Sequence, residues 1–265
     1  MARVHTLVAG HCSHPACMAL KGASLRPQCF PARAYLIETS AGPVLWDTGY
    51  SSHFMDASSK GVYRFYPAVT PITFEPAQSV AAQLKERGLA SKDVPLVLLS
   101  HFHADHMAGL KDFPNAAIMC NGTGWEQVGK LSGMRAIMQA FLPGLVPHDM
   151  EARVRHMESA PAKALPESLR PFDVGWDVLG TGEVFVVPLP GHADGHVGAF
   201  VACDDGWTLL AADAAWAPEA YREMRGPSEL TFIVQKSRRD YYATLARLHA
   251  LHRARGAAIL LTHEL

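Results

Sequence analysis

The sequence predicts an α/β protein built as two sheets packed face to face, with helices covering the outside. Three observations predict this. Short apolar segments of strand length alternate with amphipathic segments of helical length. Strand-rich stretches occupy both halves of the chain, each with a helix late in it, and a sheet with one apolar face must bury that face against another layer. No interdomain linker and no exact short repeat interrupts the pattern. The 265 residues therefore read as one domain spanning 1–265, with a helical insert at about 124–157.

Each element has a local reason. Ala34–Thr39 (AYLIET) and Val44–Asp47 (VLWD) form a hairpin through the turn Ser40-Ala41-Gly42-Pro43. Pro76–Gly88 is expected to be helical, with Val80, Leu84 and Leu89 on one face and Gly88 as C-cap. Val94–Ser100 is a continuous apolar run too short for a helix, hence a buried strand. Ala104–Leu110 opens a helix and Ala116–Cys120 is the next strand. In Gly124–Met157, Met134, Ile137, Met138 and Phe141 recur at helical spacing, with breaks at Pro143-Gly144 and Pro147, which gives two or three helices. Ser159–Ser168, rich in Pro and Ala, is expected to be a connecting loop. Glu183–Leu189, Gly198–Cys203 and Thr208–Ala212 are short strands punctuated by Gly191, Gly195 and Gly206. Tyr241–Ala254 is an amphipathic helix ended by Gly256, and Ala257–Thr262 is the last strand.

Composition narrows the function. Hydrophobic residues make up 49% of the chain, enough for a sizeable core. A net charge of −1 without a basic stripe argues against a nucleic-acid partner. No apolar run of transmembrane length occurs, and MARVHTLVAGHCSH lacks a basic segment followed by a long apolar one, so a cytoplasmic protein without a membrane partner is expected. The five cysteines (Cys12, Cys17, Cys29, Cys120 and Cys203) form no CxxC pair, which argues against a disulfide framework. His11 to Cys17 has no second ligand pair at zinc-finger spacing and is expected to be a loop with buried thiols. Of the 14 histidines, His249 and His252 fall on the last helix, while His5, His53, His148 and His156 have no ligand-spaced neighbour.

The informative run is HFHADH, directly after Val94–Ser100. It places His101, His103, Asp105 and His106 within six residues at the end of a buried strand. Three further metal-capable residues also follow strands: His192 in PGHADGH, Asp213 after Thr208–Ala212, and His263 after Ala257–Thr262. Loops held by a rigid scaffold are the usual place for reactive groups, and these four would assemble one site. Imidazole binds zinc well, and carboxylates add charge neutralisation and can bridge, so the set suits two divalent ions. Zinc is the first expectation; manganese, iron and cobalt also accept such ligands.

HxHxDH, the PGH loop, the later Asp and the terminal His resemble the metallo-β-lactamase-fold hydrolases, along the whole chain from the AYLIET…VLWDTG hairpin to His263. The resemblance implies an αββα sandwich of two mixed β-sheets flanked by helices. It implies His101, His103 and His192 on one metal, Asp105, His106 and His263 on a second, and Asp213 bridging them. Asp47 in the DTG turn, and His196, would support the ligands from behind. Within that superfamily the chain looks most similar to the N-acyl homoserine lactone lactonases, through VAGHC, YLIET-x-x-GPVLWDTG and PGHADGH. Those enzymes commonly carry a Tyr three residues after the bridging Asp; here the position is Trp216, whose indole has one N–H and no ionisable hydroxyl. Tyr221 and Tyr50 are the candidates for another donor.

The expected reaction is opening of a lactone or related carboxylic ester by hydroxide generated at the metal pair, with Asp105 passing the proton to the leaving group. The absence of a G-x-S-x-G elbow agrees with this. Trp216, Phe54 and Tyr221 are the expected substrate contacts. Met55, Phe65, Tyr66, Met134, Met138, Phe141 and Leu142 could extend an apolar pocket, unless the last four are simply the buried face of a helix. The expected partner is a small-molecule substrate, with a homodimer as the possible assembly. The competing readings are a thioesterase of the same fold and a non-catalytic metal-loaded binding protein.

Overall fold

In the computed structural model, which describes residues 1–264, thirteen strands form two sheets. The first contains β1 (Arg3–Pro15), β2 (Pro27–Thr39), β3 (Gly42–Trp46), β4 (Ile72–Thr73), β5 (Leu96–Leu98), β6 (Ala117–Cys120) and β7 (Val154–His156), in the order β4-β1-β2-β3-β5-β6-β7. The second contains β8 (Ala162–Ala164), β9 (Val174–Asp177), β10 (Val184–Pro188), β11 (Val197–Cys203), β12 (Gly206–Ala212) and β13 (Ala258–Leu261), in the order β13-β12-β11-β10-β9-β8. Both sheets are mixed. β3, β5, β6 and β7 run parallel, as do β12 and β13; the other pairs are antiparallel.

Alternation along the strands builds three apolar layers. Tyr35, Ile37, Val44, Trp46 and Leu98 point inward and meet Val186, Val197, Ala199, Val201 and Leu210 of the other sheet. Leu36, Leu45, Val97 and Ile118 point outward and pack under helices α3 (Val80–Glu86), α4 (Ala104–Met107), α5 (Gly122–Val128) and α6 (Gly133–Met138). Phe185, Val187, Phe200 and Leu209 do the same on the opposite outer face. There Leu245, Leu248 and Leu251 of α9 (Arg238–Ala254) cover them, next to α8 (Pro218–Glu223). This is the expected sandwich with helices outside. Among the described residues no helix is long and apolar enough to cross a membrane.

Four local expectations need correction. The His11 to Cys17 segment is not a loop: His11 to Pro15 continue β1, held against Pro31 to Pro27 of β2, and only Cys12 of its two thiols is buried. The Pro76–Gly88 helix begins at Val80, because Ser79 is extended and its hydroxyl accepts the Ala82 N–H as an N-cap. The 124–157 segment ends in a strand: β7 adds in parallel to β6, so the insert also extends the sheet. Ser159–Ser168 contains β8, the edge strand of the second sheet.

Candidate metal centre

The site is assembled from strand ends. Because β3 and β5 run parallel, both deliver their following loops to one edge: Asp47 from β3, and His101, His103, Asp105 and His106 from β5. β12 and β13 likewise deliver Asp213 and His263, and the turn between β10 and β11 supplies His192 and His196. Two non-glycine residues at these ends adopt positive φ, Asp47 (59°) and Ala212 (46°). Such conformations are uncommon and cluster where a functional site over-determines the backbone.

The structure brings all seven ligand candidates together, in two groups. One comprises His101, His103, His192 and Asp213; the other Asp105, His106 and His263. In the first, His192 Nε2 lies 3.2 Å from His101 Nε2 and 3.0 Å from His103 Nδ1. In the second, His263 Nε2 lies 3.3 Å from Asp105 Oδ2, and His106 Nε2 lies 3.5 Å from the same oxygen. Asp213 adjoins both: Oδ1 is 3.2 Å from His106 Nε2, while Oδ2 is 3.1 Å from His263 Nε2 and 3.4 Å from His192 Nε2.

The donor set fits cations. His106 Nε2 and Asp213 Oδ1 are buried and face each other without forming an aligned hydrogen bond. Buried polar atoms seldom stay unpaired, and two donors turned toward a common point are what a shared cation requires. His192 Nε2, with two other imidazole nitrogens within 3.2 Å of it, makes the same argument on the other side.

Residues behind the ligands fix their tautomers. Asp47 Oδ2 accepts from His106 Nδ1 (2.8 Å) and from the Ser100 hydroxyl (2.8 Å), and Oδ1 accepts the Ser100 N–H (2.8 Å). With its proton on Asp47, the Ser100 oxygen is left to accept from His101 Nδ1 at 3.0 Å. His263 Nδ1 donates to the Pro31 carbonyl at 2.9 Å. In the neutral form of each ring, the far nitrogen, Nε2, then carries the lone pair for the site. His196 donates from Nδ1 to the Leu189 carbonyl (2.8 Å) and accepts the Asp213 N–H at Nε2 (3.2 Å), so it anchors the Asp213 backbone. Ser100 escaped the sequence reading. Its signal was its place as the last residue of the apolar run, immediately before HFHADH.

Electrostatics divide the cluster. Burial, together with the neighbouring imidazoles, drives His101 and His192 well below the ordinary histidine range. Burial holds His103 and His196 at about 4. These rings are neutral at pH 7. Burial would also lower His106 and His263, but the facing carboxylates override it and hold both well above the ordinary value. Burial opposes ionisation of Asp213 and Asp105, yet His106 and His263 bring both below the usual carboxylate range.

The turn before His192 depends on a glycine. Gly191 has φ +127°, and a Cβ there would stand 2.2 Å from the Tyr241 amide nitrogen at the start of α9. Gly191→Ala is therefore expected to destabilise the metal-free protein by about 3 kcal/mol or more, from strain and overpacking together. Thermal unfolding measures it, and an unchanged Tm would contradict the close approach.

A cavity of about 290 Å³ opens over the cluster, touching His103, Asp105, His192, Asp213 and His263. Its other walls are mainly apolar: Phe30, Tyr50, Tyr66, Ile137 and Met138 among them, with Cys12 also exposed to it. Trp216 lines it too, but its indole N–H is committed to Asp213 Oδ2 at 2.7 Å. Two expected substrate contacts lie elsewhere. Phe54 is buried behind the cavity between Tyr50 and Tyr66, each ring 5.4 Å away edge-on. Tyr221 is buried in the layer under α9, its ring 5.5 Å from that of His252. Tyr50, by contrast, is in the wall. Of the wider apolar set only Tyr66 and Met138 reach the cavity. Phe141 and Leu142 fall in the core beyond the end of α6, while Met55, Phe65 and Met134 are exposed. Met134 and Met138 are both exposed, so the alternative of a buried helix face does not hold for them.

Comparison with known proteins agrees with this geometry. A probable metallo-hydrolase of Mycobacterium tuberculosis is 28% identical over 225 residues, covering 82% of this chain and 69% of the relative. The N-acyl homoserine lactonase AttM of Azorhizobium caulinodans is 28% identical over 192 residues, covering 71% of this chain and 64% of its own. Among solved structures, an N-acyl homoserine lactone hydrolase with N-hexanoyl-L-homoserine at its catalytic metal center superposes with a TM-score of 0.73 at 19% identity, covering 99% of this chain and 93% of that one. Residues 27–263 match the Metallo-beta-lactamase superfamily. With that match over nearly the whole chain and its metal-capable cluster at the strand ends, the protein belongs to the Metallo-beta-lactamase superfamily of metal-dependent hydrolases.

Proposed function

We propose that the chain is a dinuclear, zinc-dependent hydrolase that opens lactones or related carboxylic esters, with N-acyl homoserine lactones the favoured, quorum-quenching substrates. The observation that carries this reading is Asp213, whose carboxylate reaches both ligand groups: Oδ2 lies 3.4 Å from His192 Nε2 of the first, while Oδ1 and Oδ2 lie 3.2 and 3.1 Å from His106 Nε2 and His263 Nε2 of the second. His101, His103 and His192 would hold one ion, and Asp105, His106 and His263 the other, with Asp213 shared. Bound there, divalent ions supply Lewis acidity toward the ester carbonyl and toward the attacking water. The protein's own groups do the rest. Asp105 borders both the second ligand group and the cavity, so its carboxylate is placed to take a proton from water and return it to the leaving alkoxide oxygen. Trp216 fixes Asp213 through Oδ2, and the apolar walls seat an acyl chain and exclude bulk water.

Loading has a signed pH dependence. His106 and His263 sit well above the ordinary range in the metal-free protein, so both are protonated at pH 7. Ligation through Nε2 requires those protons to leave. Metal uptake at pH 7 should release protons, and affinity should weaken as pH falls. Calorimetric titration with zinc in two buffers of different ionisation enthalpy measures the release; identical heats in both would contradict it.

The reading is tested with one metal-loaded sample and a panel of hexanoyl homoserine lactone, an acyl thioester and a phosphodiester. Turnover of the lactone well above the others supports it. Preference for the thioester would favour a thioesterase, and a loaded protein inert on all three a binding role.

A further inference from the structure

The metal-capable cluster borders a second cavity, of about 490 Å³, beyond the apolar one. His103, His192, Met138 and Val234 line both, so the cluster lies where the two meet. The second cavity is chemically different. Gln127, Arg135, Gln139, Gln235 and Lys236 contribute to its wall. Among the described residues, Asp194 is the only acidic side chain lining it, and Lys236 neutralises that carboxylate at 2.8 Å. Arg135 forms no ion pair among the described residues, so the cavity keeps one uncompensated positive charge. Gln235 adds a second, independent observation. It is 9% exposed, and its Oε1 is shut off from solvent with no hydrogen-bond partner in the protein. An unpaired buried amide is costly, and a carboxamide can turn either its oxygen or its NH₂ to a ligand.

We infer that this second cavity is a subsite for a carboxylate carried by the substrate. Arg135 pairs with the carboxylate, and the Gln235 amide donates to it. The inference rests on the hydrolase reading above and extends its substrate class. Besides neutral lactones, the site takes esters with an apolar chain on one side of the cleaved bond and an anionic group on the other. A guanidinium favours such a group through a charge-assisted, bidentate contact, and neutral amides complete the shell without repelling it.

The test compares mono-hexyl succinate with hexyl butyrate on the metal-loaded protein. Each hydrolysis consumes one water, the first giving succinate and hexanol, the second butyrate and hexanol. Arg135→Gln should raise KM for the succinate ester about tenfold while leaving kcat, and both constants for hexyl butyrate, nearly unchanged. Arg135→Lys should recover part of the loss. Gln235→Leu, which replaces the unpaired amide with an apolar group of similar size, should also raise KM for the succinate ester without lowering Tm. Equal KM changes for the two esters, or none, would overturn the subsite; the latter is the outcome if the carboxylate docks on the metals instead. Binding of N-hexyl succinamic acid, followed by calorimetry, separates this claim from the hydrolase reading. Arg135-dependent binding with no turnover of either ester retains the subsite and removes the hydrolase. Turnover with Arg135-independent binding does the reverse.

Discussion

Asp213→Ala is expected to abolish stoichiometric metal loading and to lower kcat/KM for lactone opening by roughly a thousandfold or more, about 4 kcal/mol of transition-state stabilisation. The argument is geometric. Asp213 lies within ligand distance of both groups: Oδ1 faces His106 at 3.2 Å, and Oδ2 faces His263 and His192 at 3.1 and 3.4 Å. Removing it leaves each group an acceptor short and removes the charge that offsets His106 and His263. The backbone N–H at this position still donates to His196, so the loop keeps its anchor. Metal content by atomic spectroscopy, read beside the rate, distinguishes loss of the site from loss of the fold. A variant that keeps both ions and full activity would contradict the shared role.

Asp47→Asn is expected to weaken loading at the His106 side by about 10- to 100-fold although residue 47 makes no contact with a metal. The substitution preserves shape. Its amide oxygen can still accept the Ser100 N–H in place of Asp47 Oδ1. Its NH₂, however, takes the place of the oxygen that accepts from His106 Nδ1. A donor there moves the imidazole proton to Nε2, the atom that must carry the lone pair. The ring stays in place with the wrong tautomer. Competition with a chelator measures the affinity. Unaltered affinity would show that the Asp47 hydrogen bond does not set the His106 tautomer.

The legible parts of this molecule were those with local signals. The HFHADH run announced itself because four metal-capable side chains follow an apolar strand too short to be a helix. His192, Asp213 and His263 were readable for the same reason, each standing just past a strand. The outer half of the β1–β2 ribbon was not readable. His11 to Pro15 and Pro27 to Pro31 have no clean alternation, and they are strands because they pair with each other across a long connection, with His11 and Cys12 also held by β4. β7 is three residues long and exists through its parallel pairing with β6. The substrate wall was the least legible feature. Phe54 and Tyr50 are four residues apart on the same connection, yet one lies in the core and the other faces the cavity. That choice is set by how α1 (Ser52–Ser58) packs, not by composition. Trp216 shows the same limit: its indole lines the cavity, but its one N–H is already committed to Asp213.

The central claim is a two-ion site that carries the hydrolysis. It is tested most directly by removing metal from the purified protein with a chelator, restoring zinc in measured increments, and following hexanoyl homoserine lactone opening on the same sample. The account predicts that activity disappears with the metal and is fully restored at two equivalents per chain. Full lactone turnover by the metal-free protein, or saturation of activity and binding at one equivalent, would contradict it.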